Sequence, residues 1–313
     1  MYANAVIFEK PGKLSIEQVE LIDPGEDDLV VDVEWSGIST GTEKLLWTGD
    51  MPPFPGLEYP LVPGYETVGT VVDAAEANAD RIGERVYVPG SIGYKNVRGL
   101  FGGSASTIIV PAEKALNVDR ALGRDAVLLA LAGTAHHALG SKGARLPQLI
   151  VGHGILGRLL ARLTIALGGA EPVVWDIDPG RRAGDHGYKV IDPADDAGST
   201  YSHIYDVSGA ASILDQLVSH LRPAGEVVLA GFYAGRVDFS FPPAFMKEAR
   251  FRVAAEWQSA DMVAVRRLLE RGRLSFDGLV THEAKSSDAA QAYEQAFTDS
   301  TCLKMVLNWS DTQ

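Results

Sequence analysis

The sequence holds a single cysteine, Cys302, among its 313 residues. No intramolecular disulfide can form, and no CxxC spacing offers a structural zinc or iron–sulfur site. That usage fits a reducing compartment, and the cytoplasm is the expected location. Basic residues are also scarce, 28 Lys and Arg against 41 Asp and Glu for a net charge of −13. Such a field repels nucleic-acid phosphates and anionic membrane surfaces, so neither is an expected partner. The first residues carry Glu9 and Pro11 where an export signal needs an unbroken apolar core, and no such signal is expected. Residues 149–169 have the length of a bilayer span, yet Arg158 and Arg162 lie on one helical face while Leu159, Leu160 and Leu163 point elsewhere. This is the pattern of an amphipathic helix packed on a sheet, and no membrane span is expected.

What is present is an apolar content of 46%, which in a chain of this length supports about two domains. Short β-type runs at 5–8, 29–35, 68–72, 85–88 and 107–110, punctuated by Gly and Pro, predict a compact β-rich domain with long loops. Residues 49–64 hold five prolines, too many for a helix or a central strand, and read as a surface or cleft-lining loop. From about Asp125 the texture changes. Strand-like runs at 148–151, 172–175, 203–206 and 226–230 alternate with helix-length segments, the signature of βαβ units and a parallel sheet covered on both faces. Residues 261–271 and 288–297 read as helices and 303–309 as a final strand. Residues 237–241 alternate as an edge strand would, which makes a homodimer an open expectation.

The motif that carries chemistry follows the strand-like Leu149-Ile150-Val151. Gly152-His153-Gly154-Ile155-Leu156-Gly157 is a G-x-G-x-x-G turn leading into a helix-compatible run. Its glycines permit a tight turn and close approach of the backbone to a pyrophosphate, and the helix N-terminus offers amide donors. The next strand ends in Asp176, 19 positions after Gly157. A carboxylate there accepts ribose hydroxyls and repels a 2′-phosphate, so NAD is expected over NADP. Arg181 and Arg182 pull the other way, since an arginine just after this strand can bind a 2′-phosphate; with Asp176 in place they read as ribose-edge or solvated residues.

His136 and His137 are adjacent, about 100 degrees apart on a helix, and cannot both ligate one ion in the i, i+4 manner. They read as packing or cleft-lining residues. His153, inside the glycine turn, is expected on the phosphate side.

The order of these features resembles the zinc-type medium-chain dehydrogenase/reductase superfamily over nearly the whole chain. The resemblance rests on Ser36-Gly37-Ile38-Ser39-Thr40-Gly41-Thr42-Glu43, similar to the family's Gly-Ile-Cys-x-x-Asp, and on Pro63-Gly64-Tyr65-Glu66-Thr67-Val68-Gly69, similar to its Gly-His-Glu-x-x-Gly. Further pieces agree, namely Ile82-Gly83-Glu84-Arg85-Val86, Leu131-Ala132-Gly133-Thr134-Ala135, Asp206-Val207-Ser208-Gly209, Leu221-Arg222-Pro223-Ala224-Gly225 and Thr281-His282. It implies an α/β fold with a GroES-like β-rich catalytic domain at 1–128, a Rossmann doubly wound NAD-binding domain at 129–256 and a segment at 257–313 returning to the catalytic domain. It also implies cofactor contacts at Ser208 and Gly231.

Two departures stand out. Ser39 occupies the place of a zinc-binding cysteine and Tyr65 that of a zinc-binding histidine, and hydroxyls are poor zinc ligands at neutral pH. Glu66 is retained, and the four-cysteine structural lobe is missing. A zinc-free member is implied, with no metal ligands to assign. A hydroxyl relay of Thr42 or Ser39 with Tyr65 donating to the substrate oxygen, beside Glu66, is the expected catalytic set. Tyr65 as mere filler of the vacated space is the alternative. Glu43 and Glu66 need a counter-charge if buried; the resemblance implies a basic residue brought there by the final strand, here Lys304, which is expected within ion-pair reach of one of them. The run Ile38 to Gly56, continuing from Tyr59 to Glu66, is similar to the branch of the superfamily that serves bacteriochlorophyll biosynthesis. That implies NAD-dependent oxidation of a ring-borne 1-hydroxyethyl group to acetyl on a magnesium tetrapyrrole. Trp47, Phe54 and Tyr59 would offer such a macrocycle stacking surface. A zinc-free polyol or amino-alcohol dehydrogenase and a non-catalytic NAD- or pigment-binding scaffold are the competing readings.

Overall fold

The computed structural model describes residues 1–140 and 143–311. Two compact units divide the chain, Met1–Ala130 with Phe276–Gln313, and Leu131–Ser275. The fold is of the expected α/β class. The return to the first unit starts later than residue 257, because the helix Ser259–Glu270 belongs with the second unit. Asp261 of that helix is bonded by His136 and His137, and Met262 packs so closely on Gly133 that a Cβ there would lie 2.7 Å from its sulfur.

In the first unit, Tyr2–Lys10 pairs antiparallel with Lys13–Glu20. The strand Asp28–Ile38 is the spine of a second sheet, paired antiparallel with Thr67–Ala74, Thr107–Pro111 and Met305–Asn308. Its Leu29, Val30, Val31 and Val33 are buried, as β-branched and aliphatic side chains in a central strand should be. Register decides what this strand delivers. Ser36 stands opposite Thr67 and Ile38 opposite Met305. The next residue along each segment, Ser39, Glu66 or Lys304, is therefore brought to one corner of the sheet.

Beyond the corner lies the short helix Thr42–Thr48, ended by Gly49 in the left-handed conformation. Trp47 packs on Phe8 (ring centroids 5.6 Å) and Phe8 on Tyr293 (5.3 Å). Phe8 is fully buried; Phe8→Ala would cost about 3–5 kcal/mol through the cavity it leaves. Residues 51–60 run without regular structure up to a short strand, Leu61–Val62, as their prolines dictate.

Among the described residues the second unit holds a six-stranded parallel sheet, from Val190–Ile191 through Val173–Trp175, Leu149–Val151, Tyr201–Asp206 and Leu221–Leu229 to Arg250–Val253. Counted along the chain the strand order is 3-2-1-4-5-6, the doubly wound arrangement whose order reverses between the first and fourth strands. The helix Ile155–Ala166 buries Leu159, Leu160 and Leu163, while Arg158 and Arg162 stay partly exposed. Among the described residues no helix is long and apolar enough to cross a membrane.

The expected edge strand at 237–241 is absent. Phe241 instead opens the helix Phe241–Met246, and Pro242 and Pro243, which lack N–H donors, suit a first helical turn and cannot extend a ladder. The Ser240 amide is spent on the Asp215 carboxylate at 2.7 Å. The edge of the sheet on this side is Arg250–Val253, and the other is Val190–Ile191.

Candidate active site

The corner of the first unit gathers all four expected catalytic residues. Ser39 Oγ and the Tyr65 hydroxyl are 2.7 Å apart. Tyr65 is anchored from behind, its carbonyl accepting the Tyr87 hydroxyl at 2.8 Å. Burial, then the charge of Glu66, raises the phenol pKa above its ordinary value, and hydrogen bonds from Ser39 and Thr42 oppose that shift. Tyr65 is thus a neutral phenol held between two side-chain hydroxyls, one from the turn after the spine strand and one from the first residue of the short helix.

Lys304 lies where the family resemblance implies. Its Nζ donates to both Glu66 oxygens, at 2.9 and 2.6 Å, and to the Ile38 carbonyl at 3.1 Å. Lys304 is 1% exposed and Glu66 not at all, yet all three ammonium hydrogens are used, the condition under which a buried ion pair is tolerable.

Glu43 was named only as needing a counter-charge, and its arrangement is different. It too is fully buried, but Oε1 accepts the Ser39 amide at 3.3 Å and Oε2 accepts the Tyr293 hydroxyl at 2.6 Å. Burial pushes its pKa up to about 8, with Glu66 adding to the rise and the Tyr293 hydrogen bond opposing it. The corner therefore holds one ion pair and one carboxylic acid that keeps its proton. Tyr293, from the helix Ala289–Thr298, is the residue that sequence reading missed, since nothing local marks a tyrosine 250 positions from its partner.

As a metal donor set this corner is unsuited. A serine and a raised-pKa tyrosine hydroxyl are not zinc ligands at neutral pH, and both Glu66 oxygens are already taken. Among the described residues no group of three or more His, Cys, Asp or Glu is arranged to hold a metal ion.

In the second unit, the expected cofactor residues meet at the point where strand order reverses. Gly152 has φ +103°, and a Cβ on Gly157 would lie 1.8 Å from the Gly152 carbonyl; these two positions require glycine. Gly154 caps the helix that Ile155, Leu156 and Gly157 begin. Ser208 and Gly231 close the rim. The Ser208 amide is held by Asp206 at 2.9 Å, and the Gly231 amide by the Asp206 carbonyl at 3.0 Å. Asp176 is nearly buried and accepts the amides of His153 at 2.7 Å and Asp178 at 2.9 Å. Two donors fix the carboxylate while leaving lone pairs for a diol. Arg181 reaches toward Gly154, 3.7 Å from where a Cβ would lie, and its buried Nε has no hydrogen-bond partner. A turn, helix end, fixed carboxylate and guanidinium together suit a dinucleotide.

Both nitrogens of the His153 ring are spent on protein partners. It is buried, with Nδ1 on the Arg181 carbonyl at 2.7 Å and Nε2 on the Tyr188 hydroxyl at 2.9 Å. One donor and one acceptor suit the neutral ring, and burial lowers its pKa to about 4. It braces the loop after Asp176, and only its backbone belongs to the turn. His136 and His137 each bond one oxygen of Asp261, at 2.7 and 2.9 Å, fastening two helices together.

Residues 25–120 match the alcohol dehydrogenase GroES-like domain. Over their full lengths, the chain is 53% identical to the 2-desacetyl-2-hydroxyethyl bacteriochlorophyllide A dehydrogenases of Rhodobacter capsulatus and Cereibacter sphaeroides, covering 100% of each. Among solved structures it is similar to a short chain alcohol dehydrogenase of E. coli CFT073 complexed with NADH. That likeness has a TM-score of 0.85 at 23% identity and covers 98% of this chain and 99% of the other.

Proposed function

Because the chain belongs to the bacteriochlorophyllide dehydrogenase family of the medium-chain dehydrogenase/reductase superfamily, we propose that it is a zinc-independent, NAD-dependent alcohol dehydrogenase. Its substrate is a bacteriochlorophyllide whose ring-borne 1-hydroxyethyl group it oxidises to acetyl, a step of bacteriochlorophyll biosynthesis in the cytoplasm. The observation that carries the reading is the hydroxyl pair of Ser39 and Tyr65, 2.7 Å apart in a corner whose donors do not suit a metal.

Oxidation of a secondary alcohol removes a hydride from carbon and a proton from oxygen. NAD, when bound, supplies the hydride acceptor; the backbone of Gly152, His153, Gly154, Ile155, Leu156 and Gly157 shapes its pyrophosphate site, with the His153 N–H holding Asp176 and with Ser208 and Gly231 on the rim. Asp176 is the ribose acceptor, and the preference for NAD over NADP rests on it. Arg181 lies on the phosphate side. The alcohol oxygen hydrogen-bonds to Tyr65; as its proton passes to the phenol oxygen, the phenol proton passes to Ser39 or Thr42 and on to water at the partly exposed Thr42, a relay of hydroxyls replacing metal activation. Glu66, tied to Lys304, sets the charge of the site without taking the proton.

The unpaired edge Arg250–Val253 lies beside the exposed Phe241, Phe245 and Met246. A second copy pairing along that edge would cover both, and this supports a homodimer.

The test is incubation of the chain with NAD or NADP and the hydroxyethyl pigment, following the nicotinamide absorbance and the pigment spectrum together. Reduction of NAD in step with acetyl product, undiminished by chelators, is expected. No turnover, or turnover abolished by chelation and restored by zinc, would overturn the reading.

A further inference from the structure

Of the three aromatics that the sequence offered as a stacking surface, two are spent elsewhere. Trp47 is half-buried and packed between Phe8 and Phe297, at 5.6 and 6.5 Å, and the Tyr59 hydroxyl donates to the Leu46 carbonyl. Phe54 remains, 37% exposed. It joins a ring that sequence reading did not single out, because Phe101 packs edge-to-face on Phe54 at 5.9 Å and on Tyr65 at 5.4 Å. The three rings form one run from the reacting hydroxyl pair to the surface of the first unit.

That run is held rigidly. The amides of Leu100 and Gly102, on either side of Phe101, both donate to the Val62 carbonyl, at 2.9 and 3.0 Å. The Phe101 carbonyl accepts the Ser91 amide at 2.8 Å. Val62 lies three positions before Tyr65, so Phe101 and Tyr65 are pinned to the same short segment. Phe54 sits among Pro52, Pro53 and Pro55, which stiffen its loop.

The substrate's reacting group constrains what must lie beside it. A 1-hydroxyethyl carbinol is attached directly to the macrocycle, so with its oxygen at Tyr65 the flat ring system begins one carbon away and extends over whatever neighbours Tyr65. In the first unit that neighbour is Phe101, with Phe54 beyond. We propose that Phe101 and Phe54 form the macrocycle-facing wall of the site and select a planar tetrapyrrole over a small secondary alcohol. Flat π-systems gain from offset or edge-to-face contact with rings already fixed in place, since no ordering of those rings is required on binding. The inference rests on the substrate reading above and assigns it to particular side chains.

The experiment uses the full chain and chlorophyllide a, a magnesium tetrapyrrole, as the probe, with binding read from the shift of its main absorption band and KM and kcat then measured on the hydroxyethyl pigment. Phe101→Ala should weaken binding about tenfold, the loss of one aromatic contact, and raise KM with kcat nearly unchanged and NAD affinity unaltered. Phe54→Ala should weaken it less, and Phe101→Trp should restore it, showing that the loss is of a ring and not of the fold. Wild-type affinity in both alanine variants would overturn the wall and leave the substrate reading standing. A wild-type chain that binds no macrocycle at all, while reducing NAD with a small alcohol, would overturn both.

Discussion

Glu43→Gln should release the stability of the first unit from part of its dependence on pH. In the native protein the carboxyl is fully buried between the Ser39 amide and the Tyr293 hydroxyl, and its pKa is raised from 4.5 to about 8. The folded state keeps a proton that the unfolded chain gives up above its own, lower pKa. This contribution is complete below about pH 4.5, is lost as pH rises from there to about 8, and changes no further above that. While it is being lost the slope is about 1.4 kcal/mol per pH unit, so about 4 kcal/mol separates pH 5 from pH 8. A glutamine has no such proton, yet its carbonyl can still accept the Ser39 amide. Denaturant unfolding of both proteins at a series of pH values, compared as differences, removes every other titrating group from the result. The native protein should lose ground to the variant steadily up to about pH 8, where the two curves become parallel. Curves parallel throughout would refute the reasoning and mean that Glu43 is ionised in the fold.

The remaining predictions concern the relay, the cofactor and the ion pair. Tyr65→Phe should lower turnover about a hundredfold or more with NAD affinity unchanged; wild-type turnover would leave Tyr65 a packing residue. Asp176→Ala should weaken NAD binding, narrow the preference over NADP and loosen the His153 amide, all readable in cofactor titrations. An unchanged preference would contradict the ribose assignment. Lys304→Met strands the Glu66 charge and should cost about 3–5 kcal/mol of stability, much of it recovered in Lys304→Met with Glu66→Gln; equal losses in the single and double variants would contradict the pairing.

Local chemistry was legible in the sequence and long-range partnership largely was not. The glycine turn could be read because its residues are consecutive and their spacing has one physical purpose. The Lys304–Glu66 pair followed from a resemblance, not from spacing, since 238 positions separate the two. Tyr293 left no trace because one hydroxyl on a helix looks like any other until the fold seats it on Glu43. The strand Lys13–Glu20 is hard to see in the sequence because none of its residues is buried and most are polar, and period-two patterning fades where neither face is buried. Residues 237–241 misled for the opposite reason. Val237, Phe239 and Phe241 alternate as strand residues do, but the pair of prolines that follows outweighs the alternation.

The register that places Lys304 beside Ile38 also dictates when the first unit can be finished. Its spine strand and Glu66 leave the ribosome early, whereas the strand Met305–Asn308 and its lysine emerge only after the whole of Leu131–Ser275. Until then Glu66 has no ammonium to meet, and the exposed edge of the spine strand is an open template for wrong partners. The second unit, continuous in sequence, can close on its own in the meantime. The proposed catalytic corner can therefore be completed only after the last strand is made, and a synthesis stalled shortly before residue 304 should yield a dinucleotide fold attached to an unfinished and aggregation-prone partner.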